Sequence, residues 1–422
     1  MSYIEVRIMT QNKKFFDRKR EWSTVKDNLL TYYLKPYFTK ILATGKLIIY
    51  IDGFAGAGVF KDGQEGSPLL ALKTFAETTE ISHNLHKQAA VFYFIEIKKD
   101  LYACLQNNID NFKYQHKELH GVVGYKVCHG NFRNELDDCL DFASNANVFL
   151  YLDPYGIKFY DFDILTQISQ LKCYSFEVLC NFNSFGFFRS ACRALKVTIR
   201  QSDTKYFDDE LEDDVEDSPS IKNLDCAYGS EGWRKVVNSY IKKEIDATQA
   251  EKKIAEEIHS NLRKHFKYVL NMPIRVKSGN IPKYRMYHAT NNIDGCILMA
   301  QNMQKRKDRL IFTIQGEQQE SLFGDRYTYS EQGDMTDLWD VEDLFRTEVC
   351  KIQGEKQYKE FLAEFVTDHG IPCPFKNINE IMKKLEKEGK IVVRRIPEIT
   401  KTGKPAKFWS ETNKQQVFIR SK

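Results

Sequence analysis

At 422 residues, with 42% apolar, 13% aromatic and 28% charged side chains and only 22 glycines and 10 prolines, the chain is too long for one small module and too apolar to be disordered throughout. Its 62 basic side chains against 58 acidic ones leave a formal charge of +4. So small a bias names no partner, and charge has to be read locally.

The opening MSYIEVRIMTQNKKFF lacks the apolar core of a secretory signal. No uncharged run reaches the ~18 residues of a membrane span, so the expectation is a cytoplasmic protein with no membrane contact. Ten cysteines, at 104, 128, 139, 173, 180, 192, 226, 296, 350 and 373, include no C-x2-C pair. His83, His86, His116, His120 and His129 show no ligand spacing. Reduced, mostly buried thiols and no metal are expected.

Residues 13 to 44 carry apolar side chains at three- and four-residue steps around Pro36, which predicts a helical lead-in over 1–45. KLIIYIDGF follows, an apolar, β-branched run ending in an acid and a glycine. AAVFYFIEI (89 to 97), NVFLYLDPYG (147 to 156) and CYSFEVLCNF (173 to 182) repeat the strand pattern, the first two again ending at a carboxylate. Helix-like stretches alternate with them, as in SPLLALKTFAET, with Ser67 as N-cap and Pro68 at the first helical position.

That alternation predicts an α/β fold: a Rossmann-like parallel sheet with helices on both faces. In such sheets ligands bind beyond the carboxyl ends of the strands, where Asp52, Glu96 and Asp153 all fall. The segment 203 to 217 carries nine acids against one lysine and reads as a solvated loop. YRMYHATNN and GCILMA predict completion of the sheet between about 284 and 300, so this domain is expected over 46–345.

The tail, 350–422, reads helix (YKEFLAEFVTDHG), helix (NINEIMKKLEKEGK), strand (IVVRRI), turn (TKTGKP) and a last strand around KFW. From 376 to 422 it holds 13 Lys or Arg against 5 Glu, a local charge of +8. A helix pair followed by a basic two-stranded wing is a winged-helix pattern. It makes Lys383, Lys384, Lys387, Arg394 and Arg395 candidate contacts for DNA or RNA phosphates.

Directly after the first strand stands Asp52-Gly53-Phe54-Ala55-Gly56-Ala57-Gly58. Gly56 and Gly58 permit a tight turn and close backbone approach to a ligand, with Asp52 and Phe54 beside it. The third glycine of a dinucleotide fingerprint is absent, because Val59, Phe60 and Lys61 follow. The F-x-G-x-G form resembles motif I of S-adenosylmethionine-dependent methyltransferases, especially those acting on exocyclic amines of nucleobases. At its strand end Glu96 is placed to accept both ribose hydroxyls, and Asn131, in His-Gly-Asn-Phe, to read an adenine edge.

Asp153-Pro154-Tyr155-Gly156 takes the place of the catalytic motif in those enzymes. A carboxylate and a proline carbonyl can accept the two N–H groups of an amine while an aromatic ring stacks on the base. The usual D-P-P-Y lacks its second proline here, and D-P-aromatic-G is similar to the motif of tRNA guanine-N2 dimethyltransferases. FFDRKREWSTVKDNLLTYYLKPYF, YIDGFAGAGVFKDGQEGSPLLAL, FIEI, LYLDPYG and GSEGWRKVV together resemble the three-Cys-motif partner (TcmP) family over about residues 12 to 310.

That resemblance implies a methyltransferase-like Rossmann fold, S-adenosylmethionine as cofactor and a three-Cys-motif protein as partner. The expected activity is methyl transfer to an exocyclic amine of a nucleic-acid base. The alternative is a non-catalytic or regulatory nucleic-acid-binding module that keeps the same fold.

Overall fold

A computed structural model describes residues 21–81, 89–140, 143–206, 219–275, 280–315, 327–329, 335–412 and 414–422. The predicted helical residues 13 to 20, His83, His86 and the acidic segment from 207 onward lie outside the described residues. The chain forms two compact units that divide between Asn292 and Ile293.

The first unit is built on a seven-stranded sheet. In chain order its elements are α1 (Glu21–Leu42), β1 (Ile48–Asp52), α2 (Ser67–Ile81), β2 (Ala90–Glu96), α3 (Lys99–Gln115), β3 (Val123–His129), α4 (Phe132–Leu140) and β4 (Asn147–Leu152). There follow α5 (Phe162–Ser169), β5 (Ser175–Phe182), α6 (Ser184–Ala194), α7 (Ile221–Tyr228), α8 (Trp233–Ile241), α9 (Ala247–Arg263), β6 (Tyr268–Ile274) and β7 (Tyr284–Thr290). The strand order is β3-β2-β1-β4-β5-β7-β6. The first five strands pair in parallel, and β7 lies antiparallel between β5 and β6. This is the Rossmann-like α/β sheet expected from the alternating pattern.

Because side chains alternate along a strand, each strand serves two cores. Ile49, Ile51, Val148, Leu150, Val178 and Phe182 join the cluster formed with α4 to α9. The other face carries Tyr50, Phe92 and Phe149, against which Tyr37 and Phe38 of α1 and Phe75 of α2 pack with ring centroids 5.1–6.1 Å apart. Helices on both faces explain why these strands read as unbroken apolar runs rather than alternating ones.

The lead-in helix is therefore a layer of the fold, with Leu29, Leu30, Tyr33, Leu34 and Phe38 fully buried. A hydrogen-bonded core site fastens it: Tyr33 Oη donates to Glu177 of β5, whose Oε2 also meets His288 Nε2 of β7 at 2.9 Å.

The second unit holds α10 (Ile293–Gln315), the short antiparallel pair β8 (Tyr327–Tyr329) and β9 (Met335–Asp337), α11 (Leu338–Cys350), β10 (Lys356–Gln357), α12 (Tyr358–His369), α13 (Phe375–Lys387), β11 (Ile391–Ile396) and β12 (Gln416–Ser421). The last three strands form an antiparallel sheet in the order β10-β12-β11. Ile378, Ile381, Met382 and Leu385 of α13 are buried on one side, as their spacing requires.

Three local expectations need correction. GCILMA, read as part of the late sheet, lies inside α10, and the strand that completes the sheet beside β7 is β6. The last strand of the tail is Gln416–Ser421, whereas Lys407, Phe408 and Trp409 belong to no strand. Finally, the Ser67 hydroxyl donates to Asp52 Oδ2 at 2.6 Å instead of capping α2.

Among the described residues no helix is long and apolar enough to cross a membrane, and no group of His, Cys, Asp and Glu is placed to hold a metal ion.

Candidate active site

Backbone hydrogen bonds fold the glycine segment over the strand ends. Gly53 N–H donates to Tyr151 O at 3.0 Å and Ala55 N–H to Ile95 O at 2.9 Å, which locks the bend to β4 and β2. Gly56 and Gly58 have φ values of 62° and 79°. Both lie in the left-handed region that side chains with a Cβ avoid. At Gly58 an added Cβ would also stand 3.0 Å from the Leu105 side chain.

The bend is tied to Glu96 through its backbone. Gly56 N–H donates to Glu96 Oε2 at 2.9 Å and Lys98 N–H to Oε1 at 2.7 Å. Burial raises the Glu96 carboxyl above its usual range, against the lowering effect of the Lys98, Gly56 and Ile97 N–H groups and of the Lys98 charge.

Asp52 is fully buried and receives the Phe54 N–H at 3.2 Å besides the Ser67 hydroxyl. Burial pushes its carboxyl up to about 7, and the charges of Asp153 and Glu96 act in the same direction. Asp52 thus lies within electrostatic reach of both other strand-end acids.

Asp153 is held from two directions. Lys26 Nζ of α1 approaches Oδ2 at 2.6 Å, and Asn181 Nδ2 of β5 donates to Oδ1 at 2.7 Å. Lys26 is itself nearly buried and stands 5.0 Å from the centre of the Tyr284 ring. The Pro154 carbonyl, expected to face an acceptor, receives the Gly156 N–H at 3.2 Å, while Gly156 has a φ of 106°. The Tyr155 ring lies 5.6 Å from Lys98 Nζ, on the Glu96 side.

Asn131 sits at the start of α4, where its side-chain oxygen accepts the Arg133 N–H at 3.0 Å. The adjacent Gly130 N–H donates to Glu96 O at 3.2 Å, so the β3 turn borders the Glu96 end of the site. The Phe54 side chain turns the other way, toward Phe132 and Phe159 at 5.7 and 5.8 Å. There it lines a small apolar cavity of about 30 Å³ together with Leu152, Pro154 and Tyr160.

Lys26, Asn181 and Tyr284 were not read from the sequence as site residues. Lys26 does carry a signal, since it falls on the same helical stripe as Leu29, Leu30 and Tyr33, where an apolar residue is expected. Asn181 interrupts an apolar strand one residue from its carboxyl end, which is where the three acids also stand.

In the second unit the five basic candidates differ. Lys384 pairs with Glu342 at 2.7 Å, Arg394 Nε with Glu355 at 2.8 Å, and the buried Arg395 with Glu386 at 2.7 Å. Lys383 and Lys387 are exposed on α13 without an acidic partner among the described residues.

No family model and no curated protein matches the chain. Among solved structures it aligns with the plantazolicin methyltransferase BpumL in complex with SAH, over 69% of this chain and 92% of that one, at 10% identity and a TM-score of 0.28. The plantazolicin methyltransferase BamL, with a triazolic desmethylPZN analog and SAH, gives 67% and 90% coverage, 10% identity and a TM-score of 0.28. The CurJ carbon methyltransferase gives 58% and 48% coverage, 12% identity and a TM-score of 0.24. Similarity at this level carries no argument about substrate or site residues.

Proposed function

We propose that the chain is an S-adenosylmethionine-dependent methyltransferase that modifies an exocyclic amine of a nucleic-acid base. One observation carries the reading: Asp52 lies under the charges of both Glu96 and Asp153, Glu96 holds the glycine bend through the Gly56 N–H, and Lys26 is the cation paired to Asp153.

A nucleoside bearing a sulfonium and an ammonium group suits this acidic cluster. Glu96 would take the ribose hydroxyls, and the left-handed glycines of the bend would let the backbone approach the ligand closely. When bound, the cofactor supplies an electrophilic methyl group: the acceptor lone pair forms the new bond to carbon as the carbon–sulfur pair stays with sulfur. Asp153 would accept an N–H of the acceptor, stabilise the positive charge developing on nitrogen and pass the released proton to solvent. Tyr155 would offer a stacking face for the base.

The second unit supports nucleic acid as the substrate class. Its order of helix, strand, helix, helix, strand, strand is read as a winged helix, with Lys383 and Lys387 as the phosphate contacts. The family resemblance adds a three-Cys-motif protein as partner.

The test is calorimetry with S-adenosylmethionine followed by tritiated methyl transfer to mixed RNA and DNA, wild type against Asp153→Ala. Binding plus incorporation that the variant loses supports the proposal, and absence of binding defeats it. One observation favours the non-catalytic reading, because Lys26 already balances the charge of Asp153 from within the fold. Binding of nucleic acid with equal background incorporation in both proteins would establish that module instead.

A further inference from the structure

Asn181 is 2% exposed, and its side-chain oxygen has no hydrogen-bond partner among the described residues. The neighbouring carboxylate fixes the amide orientation. Only the NH2 side can face Asp153 Oδ1, which it does at 2.7 Å, so the oxygen is committed to the other side. A buried acceptor left open in this way is costly unless a ligand fills it.

The Asp153 carboxylate is unevenly filled. Oδ2 takes Lys26 Nζ at 2.6 Å and, more weakly, the Tyr151 hydroxyl at 3.5 Å, whereas Oδ1 takes only the Asn181 amide. One lone pair of Oδ1 and the open Asn181 oxygen therefore belong to two hydrogen-bonded side chains at the ends of β4 and β5. The Pro154 carbonyl, the other acceptor considered from the sequence, receives the Gly156 N–H at 3.2 Å and keeps one lone pair.

We propose that Asn181 is an acceptor-binding, specificity-determining residue: with Asp153 Oδ1 it receives the two N–H groups of a primary amine, selecting exocyclic amines over hydroxyl groups. The inference rests on the methyl-transfer reading above. An –NH2 group satisfies both acceptors, while a hydroxyl carries one hydrogen and leaves one of them open. Sites built to bind an N–H or O–H discriminate strongly against ligands that lack it. Lys26 is the positioning residue, holding Oδ2 so that Oδ1 faces the acceptor.

The experiment compares wild type with Asn181→Leu, of similar volume but without the acceptor. Three measurements are made: calorimetric affinity for S-adenosylmethionine, tritium transfer to total RNA and genomic DNA, and calorimetric binding of adenosine, cytidine and guanosine against inosine and uridine to the S-adenosylhomocysteine-loaded protein. The expected result is cofactor affinity within about twofold of wild type, transfer reduced about 100-fold or more, and loss of the preference for amine-bearing nucleosides.

Equal transfer by both proteins, or no preference in the wild type, overturns the inference while leaving methyl transfer intact. Should Asn181→Leu fail to bind the cofactor, mass mapping of the wild-type product decides: a methyl on an exocyclic nitrogen supports the proposal, and one on ribose, ring carbon or oxygen overturns it. A wild type that binds no S-adenosylmethionine overturns the underlying reading itself.

Discussion

Lys26 and Asp153 stand 127 positions apart in the chain and meet at 2.6 Å. The pair joins the helix that precedes the sheet to the end of its fourth strand, and it sets one cation among three carboxyl groups. A cationic ligand beside this cluster gains from Glu96 and Asp153 and loses to Lys26.

Lys26→Met should therefore strengthen binding of S-adenosylmethionine relative to the uncharged-sulfur product. A Coulomb energy of about 1 kcal/mol at a partly screened site corresponds to a gain of roughly fivefold in the affinity ratio. Calorimetry with both ligands at low and high salt reads this directly, and the gain should shrink as salt rises.

Asp52 predicts a pH dependence of stability. Its folded-state carboxyl lies near 7, above the unfolded value of about 3.9, so between those values the folded chain holds a proton that the unfolded chain has lost. Stability from this group is fully present below about pH 4, falls as pH rises to about 7, and is constant beyond. The loss is on the order of 4 kcal/mol. Asp52→Asn removes the titration, so its urea midpoint relative to wild type should climb across that window and then level off.

Gly58→Ala should lower the thermal midpoint. The residue holds a φ of 79° and its Cβ would meet Leu105 at 3.0 Å. Strain and crowding together cost about 1–3 kcal/mol, and S-adenosylmethionine binding should weaken in parallel. Gly63→Ala tests the specificity of the effect, since its φ of 82° is similar but nothing lies within 4 Å of the added carbon.

On the opposite face of the sheet, Arg285 of β7 and Glu251 of α9 form a fully buried pair at 2.6 and 2.9 Å, and Ser184 donates to the same carboxylate. Breaking it by Arg285→Met leaves an uncompensated buried charge and should cost about 3–5 kcal/mol in denaturant unfolding. Pairing that change with Glu251→Leu should recover most of the loss.

For the second unit, Lys383→Glu with Lys387→Glu should weaken nucleic-acid binding and flatten its salt dependence by about two counterions. Arg395→Ala should act differently. That guanidinium is buried against Glu386 and the Phe408 carbonyl, so its loss should lower the melting temperature and leave the salt slope unchanged. A fluorescence anisotropy titration across several salt concentrations distinguishes the two.

The sheet and the groups around Asp153 differ in how legible they are from sequence. Strands β1, β2, β4 and β5 announce themselves because burial on both faces demands continuous apolar runs, and their terminal acids mark the ligand end. Strand β6 escaped notice because Pro273 and Asn271 interrupt its run. Lys26 and Asn181 could not be assigned from spacing, because they reach Asp153 only after α1 packs on the sheet and β5 pairs with β4. The role of Ser67 was misread for a related reason: a serine before a helix looks like a cap until a buried carboxylate, 15 residues earlier, competes for its hydroxyl.

Strand β5 places Glu177 and Asn181 toward α1, and Val178, Cys180 and Phe182 toward the apolar cluster. A slip of one residue against β4 would exchange these sets, driving a carboxylate and an amide into hydrocarbon and turning three apolar side chains onto the polar floor. The alternation that makes misalignment expensive is the same one that aims Asn181 at Asp153. Fidelity of strand pairing and assembly of the reactive centre are therefore a single selection, made once as the chain folds.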